Sequence, residues 1–246
     1  MRKFILHYHF FKNAGTSVDA MLKKNFGAAW GTREFDGSHG QVMQQVADWI
    51  RSNPHTLAFS SHTAHMPPPK GPALQCFPVL FVRHPIDRIA SAYYFERKQG
   101  GDGFGAVLAR NTTLAGYIEV RLSMSYDAQC RDFHSYRLGQ MFPSDTGSQA
   151  ERALRAVKEL PFVGLVEAYE QSIRRMTAWL QPHFPQVQAV VMARNTSRDH
   201  SAPLDIRLAE VREEIGNALY RRLEEINEAD FAVYEAVRAN YQGQVA

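Results

Sequence analysis

An apolar run, Phe4-Ile-Leu-His-Tyr-His-Phe10, leads straight into a small-residue loop that carries a lysine, Phe11-Lys12-Asn13-Ala14-Gly15-Thr16-Ser17. Strand, tight loop and following helix together make an anion cradle. Backbone N–H groups, the positive end of the helix dipole and hydroxyl donors converge on one point. Residues 18–25 have helical spacing, with Val18, Met21 and Leu22 placed to face a sheet. The lysine sits differently from that of a Walker A loop, where it follows the last glycine. Here Lys12 precedes Gly15, and Thr16 and Ser17 follow the glycine directly. The spacing predicts a cradle for a phosphate-like group without the usual triphosphate–magnesium arrangement.

A second segment answers the first. Residues 77–82 form a short apolar run of strand type, ended by Arg83-His84-Pro85. Ile86, Ile89, Ala90 and Tyr93 then recur at helical spacing, and proline is at home in a first helical turn. Arg83 is thereby expected at the carboxyl end of a strand, where open α/β sheets bind ligands. Ser91 falls about two turns into the next helix. An arginine fork and a serine hydroxyl suit a terminal phosphate. The plainer alternative pairs Arg83 with Asp87 at the helix start and leaves Ser91 as a small packing residue.

These residues resemble those of a known family. Lys12-Asn-Ala-Gly-Thr-Ser17 is similar to the 5′-phosphosulfate loop of sulfotransferases that use 3′-phosphoadenosine 5′-phosphosulfate (PAPS), P-K-[TS]-[AG]-[GS]-T-[ST]. Arg83-His-Pro-Ile-Asp-Arg-Ile-Ala-Ser91-Ala-Tyr resembles their 3′-phosphate motif, R-[DH]-P-x-x-R-x-x-S-x-[YF]. Val163-Gly-Leu-Val-Glu167 resembles the family's strand-to-helix V-G-x-x-E segment, and Asn227-Glu-Ala-Asp-Phe231 its carboxy-terminal N-x-x-D-F helix. Asp127-Ala-Gln-Cys-Arg131 is a fainter likeness to an N-x-Q-x-R segment near the acceptor. In pattern the chain most resembles carbohydrate sulfotransferases related to the heparan and chondroitin enzymes, and residues 97–160 match least. Phe11 stands where the family has proline. Asn13 and Ala14 replace a hydroxyl residue and, often, a glycine; a side chain at Ala14 is cheap only if φ stays negative there.

The resemblance implies an α/β fold, a P-loop-like, mostly parallel sheet with helices on both faces, in one sulfotransferase domain over residues 1–246. It implies PAPS as co-substrate, no metal, and in-line sulfuryl transfer to a hydroxyl acceptor, a sugar by preference. Lys12, Asn13, Ala14, Gly15, Thr16, Ser17, Arg83 and Ser91 are the expected donor-binding residues, with Lys12 also stabilising the leaving phosphate. For the general base, His62 ends a predicted strand at residues 56–61, and an imidazole with a pKa near ~6.5 suits proton abstraction at neutral pH. Phe59-Ser-Ser-His62 also resembles the G-H segment of carbohydrate enzymes that use histidine. His65 and Glu34 are rivals. Asn195-Thr-Ser-Arg198 resembles an asparagine-containing turn that closes over the nucleotide. Two other readings stay open: a P-loop small-molecule kinase, and a nucleotide-binding protein without catalysis.

Composition narrows the classes. A formal net charge of +3 over 246 residues offers no dense basic face for nucleic acid, yet suits attraction of an anionic donor. The two cysteines, Cys76 and Cys130, are too few for a disulfide framework and are expected reduced. No apolar segment of about 20 residues marks a membrane span, and a cytoplasmic, bacterial enzyme is expected. Further strand spacing falls at residues 187–192. Helical spacing falls at 42–50, 149–159, 169–181 and 205–241, the last as one or two long helices. Loops are expected at 27–40 and 62–69, and a glycine-rich loop over the acceptor site at 100–105.

Overall fold

The alternation of residues along the first strand sets the layers. In the computed structural model, which describes residues 1–191 and 202–242, β1 (Arg2–Tyr8) is buried from Phe4 onward on both faces. Phe4, Leu6 and Tyr8 enter one core cluster, and Ile5 enters another on the opposite face. A strand covered on both sides belongs at the centre of a parallel sheet. The sheet order is β2-β3-β1-β4, all parallel, with β2 (Trp30–Thr32), β3 (Ala58–Ser61) and β4 (Leu74–Val79). β5 (Phe81–Val82) continues past Leu80 and pairs in parallel with β6 (Gly164–Leu165). The Leu80 carbonyl accepts the Gly164 N–H at 2.8 Å. Pro78 has no N–H to give, and it lies in β4 before β6 arrives, where that flank needs no donor.

Helices cover both faces. α1 (Gly15–Phe26) and α8 (Tyr169–Leu180) pack on the Ile5 side, contributing Val18, Met21, Leu22, Ile173 and Met176. α2 (His39–Ser52), α7 (Gln149–Glu159) and α11 (Glu228–Gln242) pack on the Phe4 side, contributing Val46, Ile50, Ala153, Val157, Val233 and Val237. α3 (Pro85–Gln99) opens with its proline and buries Ile86, Ile89, Ala90 and Tyr93 as the spacing predicts. Those residues meet α4 (Phe104–Asn111), α5 (Leu114–Ser123), α9 (Leu204–Ile215) and α10 (Asn217–Ile226) in a third, helical cluster. α6 (Phe133–Gly139) lies against α7 and α11. The expected α/β class holds.

Several expectations need correction. Residues 27–40 are not loop throughout: they contain β2, a strand too short for its periodicity to register, and the start of α2. The predicted strand at 187–192 is absent from 187–191, and Met192 lies outside the described residues. There Asn25, in the last turn of α1, takes the place of a neighbouring strand: its Oδ1 accepts the Gln188 N–H at 2.8 Å, and its Nδ2 donates to the Gln188 carbonyl. Residues 205–241 hold three helices rather than one or two, because Gly216 at φ 79° breaks the first from the second. The glycine-rich stretch is loop only to Gly103; Gly105 is helical and packed against Glu96 and Arg121.

Candidate active site

Because the strands are parallel, the segments following β1, β3 and β5 emerge at one edge of the sheet. After β1 the chain moves outward to β2 and β3, then crosses to the other flank of β1 to form β4. The crevice beside the carboxyl ends of β1 and β4 is therefore a topological switch point, the usual place for a ligand in an open α/β sheet. Lys12, His62 and Arg83 stand in those segments. The guanidinium of Arg83 donates from Nη1 to the Lys12 carbonyl at 3.3 Å, joining the two sequence motifs directly.

The loop is tightly specified. Lys12 and Ala14 both have left-handed backbones, at φ 63° and 60°. Ala14 thus holds the positive φ at which a side chain is not cheap, and its Cβ costs roughly 1–2 kcal/mol there. That backbone turns the chain so that α1 starts at Gly15, and the first hydrogen bonds back to Ala14 come from Ser17 and Val18. The Gly15 and Thr16 amides precede those bonds and head the helix, as an anion site requires. Asn13 is buried: its Nδ2 donates to the Phe11 carbonyl at 3.0 Å, and its Oδ1 meets His134 Nε2 at 2.8 Å. Gly15 and Ser17 are buried and Thr16 is exposed.

Lys12 Nζ lies 4.1 Å from the centroid of the Phe95 ring, whose edge also packs on Phe11. Burial, with the like charge of Arg83, lowers the Lys12 ammonium to about 8. Arg83 forms the helix-start pair that the sequence offered as an alternative, Nε to Asp87 Oδ2 at 2.7 Å. Asp87 also takes Arg207 Nε at 3.1 Å and Nη2 at 2.9 Å, so two guanidiniums share one buried carboxylate. Burial alone would raise Asp87, but Arg83 and Arg207 hold it well below the usual carboxylate range. Ser91 is buried within α3.

His62 is exposed directly after β3, and its ring lies 3.7 Å, centroid to centroid, from that of His9. Burial of part of the ring and the neighbouring His9 lower its pKa, against the opposing pull of Glu34 and Asp19. Glu34 is occupied elsewhere. Its carboxylate accepts the His62 and Thr63 N–H groups at 3.0 Å and the Thr63 hydroxyl at 2.9 Å, which shapes the turn. His65 turns toward α2 and stacks on His39 at 5.2 Å; burial, Arg137 and His39 bring it down to about 4. Residues Asn195 to Arg198 lie outside the described residues.

The remaining motifs are clamps around this edge. Gly164 is glycine because a Cβ there would stand 2.5 Å from the Phe81 ring. Glu167 accepts the His84 N–H at 2.8 Å, fixing the residue after Arg83. Arg88 donates to both the backbone and the side-chain oxygen of Gln129, which ties the second motif to the 127–131 segment. Asn227 Oδ1 accepts the Asp132 N–H at 2.9 Å, and Asp230 accepts the His134 and Ser135 N–H groups at 2.9 and 2.7 Å. Both cysteines are free thiols, and burial pushes Cys130 up to about 12.

Sequence reasoning missed Arg207, His134 and a cluster of His7, His9 and Asp19. No local pattern marks Arg207. The N-x-x-D-F likeness contained Asp230 but gave no hint of its histidine. Among the described residues, His7, His9 and Asp19 also form the group whose ligand atoms, all within 4.8 Å of one another, have the composition to hold a metal ion. Their contacts have hydrogen-bond character instead, since each Nδ1 lies 2.7 Å from its own Asp19 oxygen.

This edge thus combines a parallel sheet, a strand–loop–helix turn at its switch point and an arginine closing on that loop. The sulfotransferase family matches residues 2–236, and the chain belongs to that family. It is also 39% identical to an uncharacterised protein of Archaeoglobus fulgidus over 249 aligned positions, covering 98% of each chain. No helix among the described residues is long and apolar enough to cross a membrane.

Proposed function

We propose that the protein transfers a sulfuryl group from PAPS to a hydroxyl acceptor of carbohydrate type, in line and without a metal, as a cytoplasmic enzyme. The observation that carries this reading is the contact of Arg83 with the Lys12 carbonyl, which brings the two sequence motifs to one crevice. The donor's 5′-phosphosulfate lies over the α1 amides of Gly15 and Thr16, within the loop of Lys12, Asn13, Ala14 and Ser17. Its 3′-phosphate is held by Arg83 and Ser91. The acceptor oxygen attacks sulfur as the bond from sulfur to the phosphate oxygen breaks. His62 takes the acceptor's proton, and Lys12 offsets the negative charge growing on the departing phosphate.

A P-loop kinase needs a carboxylate for magnesium at the end of a core strand. Here β5 is followed by Arg83 and His84, which disfavours that reading. The test is transfer of radiolabelled sulfate from PAPS to a panel of glycosaminoglycan and simple sugar acceptors. It is run beside thermal shifts with adenosine 3′,5′-bisphosphate and with ATP–magnesium. Sulfated product and a shift with the bisphosphate support the assignment. A shift with ATP–magnesium alone replaces it with the kinase.

A further inference from the structure

His7 and His9 lie two residues apart at the end of β1, on one face of the strand, and both aim at the same helix side chain. Each Nδ1 is 2.7 Å from a different oxygen of Asp19, in the second turn of α1. An ionised carboxylate only accepts, so each imidazole carries its proton on Nδ1, and the neutral His9 ring presents Nε2 as a lone pair. Burial would raise Asp19, yet the bonded histidines hold it far below the usual carboxylate range. Asp19 is therefore a fixed anion beneath two rings.

The His9 ring is wedged in place. A Cβ on Gly15 would stand 2.0 Å from His9 Cδ2 and 2.3 Å from Nε2, so the first residue of α1 is a glycine where the ring needs the space. His7 stacks on one side of His9 at 5.3 Å, and His62 lies on it at 3.7 Å. His9 thus touches both the head of the anion cradle and the ring of His62.

We propose that Asp19 and His9 are positioning residues for His62: Asp19 locks the His9 ring against Gly15, and that ring orients His62 and tunes its protonation. This rests on the reading of His62 as the base. The charges facing the pair come from four elements. Asp19 on α1 and Glu34 after β2 favour protonated His62. The His9 ring after β1 opposes it, while a hydrogen bond with the His9 backbone favours it. His7 on β1 stacks on His9, and Arg137 on α6 donates to the His62 carbonyl at 3.0 Å. Burial lowers His9 as well, with Asp19 pulling the other way. The pair is thereby biased toward two neutral rings at neutral pH, the state in which His62 accepts a proton.

The two partners push His62 in opposite directions, which separates tuning from packing. Asp19→Asn removes an anion, so the acid limb of kcat/KM moves to lower pH by about half a unit or more. His9→Phe keeps a ring in the stack but removes a group that takes on positive charge as pH falls, so the limb moves to higher pH by a similar amount. His9→Asn, which keeps a donor near the Nδ1 position, covers the case in which a phenyl ring fails to fit. Titration of the His62 ring by NMR in the donor-free protein reads the same shifts without turnover. Opposite shifts in both measurements support the proposal. Losses of rate or stability with an unmoved limb and an unmoved titration overturn it. An inert wild-type enzyme with the NMR shifts intact instead sinks the transferase reading.

Discussion

Asn13 and His134, 121 residues apart in sequence, meet through a 2.8 Å hydrogen bond in the interior. The Asn13 amide nitrogen is committed to the Phe11 carbonyl, so its oxygen faces the ring. The other ring nitrogen lies 2.9 Å from Asp230. Both ring nitrogens face acceptors. Burial would raise Asp230, and His134 with the backbone donors of residues 134 and 135 lowers it instead. The loop that carries Lys12 is thus anchored through one asparagine to α6 and α11.

Replacing His134 tests that anchor. His134→Ala leaves a fully buried Asp230 without its ring partner and Asn13 Oδ1 without the His134 contact. Breaking a buried pair from one side costs about 3–5 kcal/mol. Urea unfolding is expected to show a loss of that order. At temperatures where the variant remains folded, turnover falls further than the folded fraction does, because the Lys12 loop has lost its tether. A change below 1 kcal/mol, taken as roughly the worth of an exposed pair, contradicts the anchor.

Asp87 is expected to govern acid stability. Its carboxylate is shared by Arg83 and Arg207 and lies below the usual range when folded. A depressed folded pKa means the stabilisation is present above the unfolded carboxylate value near ~4 and is lost as pH falls below it. Asp87→Asn removes the carboxylate that both guanidiniums share, costs about 3–5 kcal/mol at neutral pH, and flattens the fall in stability below that value. Chemical denaturation of both proteins across the acid range checks the slope. Parallel curves would remove Asp87 from the account.

Ala14→Gly is the one change in the loop expected to stabilise. Alanine holds φ 60° there, a conformation glycine adopts without the Cβ penalty. Relief of roughly 1–2 kcal/mol is partly offset by glycine's greater freedom in the unfolded chain, about 0.4–1 kcal/mol, which leaves a net gain of roughly 0–1.5 kcal/mol. A small upward shift in melting temperature with adenosine 3′,5′-bisphosphate affinity retained is the expected result. A destabilised variant would mean the alanine methyl makes a contact that outweighs the strain.

The cradle was legible because strand, loop and helix are contiguous. Lys12, Gly15 and the Pro85 helix start are fixed by local spacing, and the structure put the two segments in contact. Asp19, Arg207 and His134 were not legible for one physical reason: each acts on a residue brought near only by folding. Asp19 reads in sequence as a polar residue on an amphipathic helix, and nothing in its neighbours announces two histidines across the interface. Arg207 and Asp87 lie 120 residues apart. The same limit hid β2, whose three residues are too few for alternation to show and which exists because β3 offers an edge. The V-G-x-x-E and N-x-x-D-F likenesses were visible as patterns, but their physical content, a ring against Gly164 and backbone amides on Asp230, emerged only from the packing.

Lys12 is expected to set the basic side of the pH profile. In the free protein its ammonium is lowered to about 8 by burial and by Arg83. The proposed role needs the charged form, because a neutral amine does not offset charge on a leaving phosphate. As pH rises through about 8, the protonated fraction falls and kcat/KM, which reports the free enzyme, declines with it. The bound donor adds negative charge beside the ammonium and favours protonation, so the limb in kcat lies at higher pH than the limb in kcat/KM. Lys12→Arg carries a guanidinium that stays charged across this range, so whatever turnover it retains loses the basic limb. Profiles of both proteins over the neutral to alkaline range decide the matter. A basic limb at the same pH in Lys12→Arg assigns that ionisation to another group and removes Lys12 from the leaving-group role.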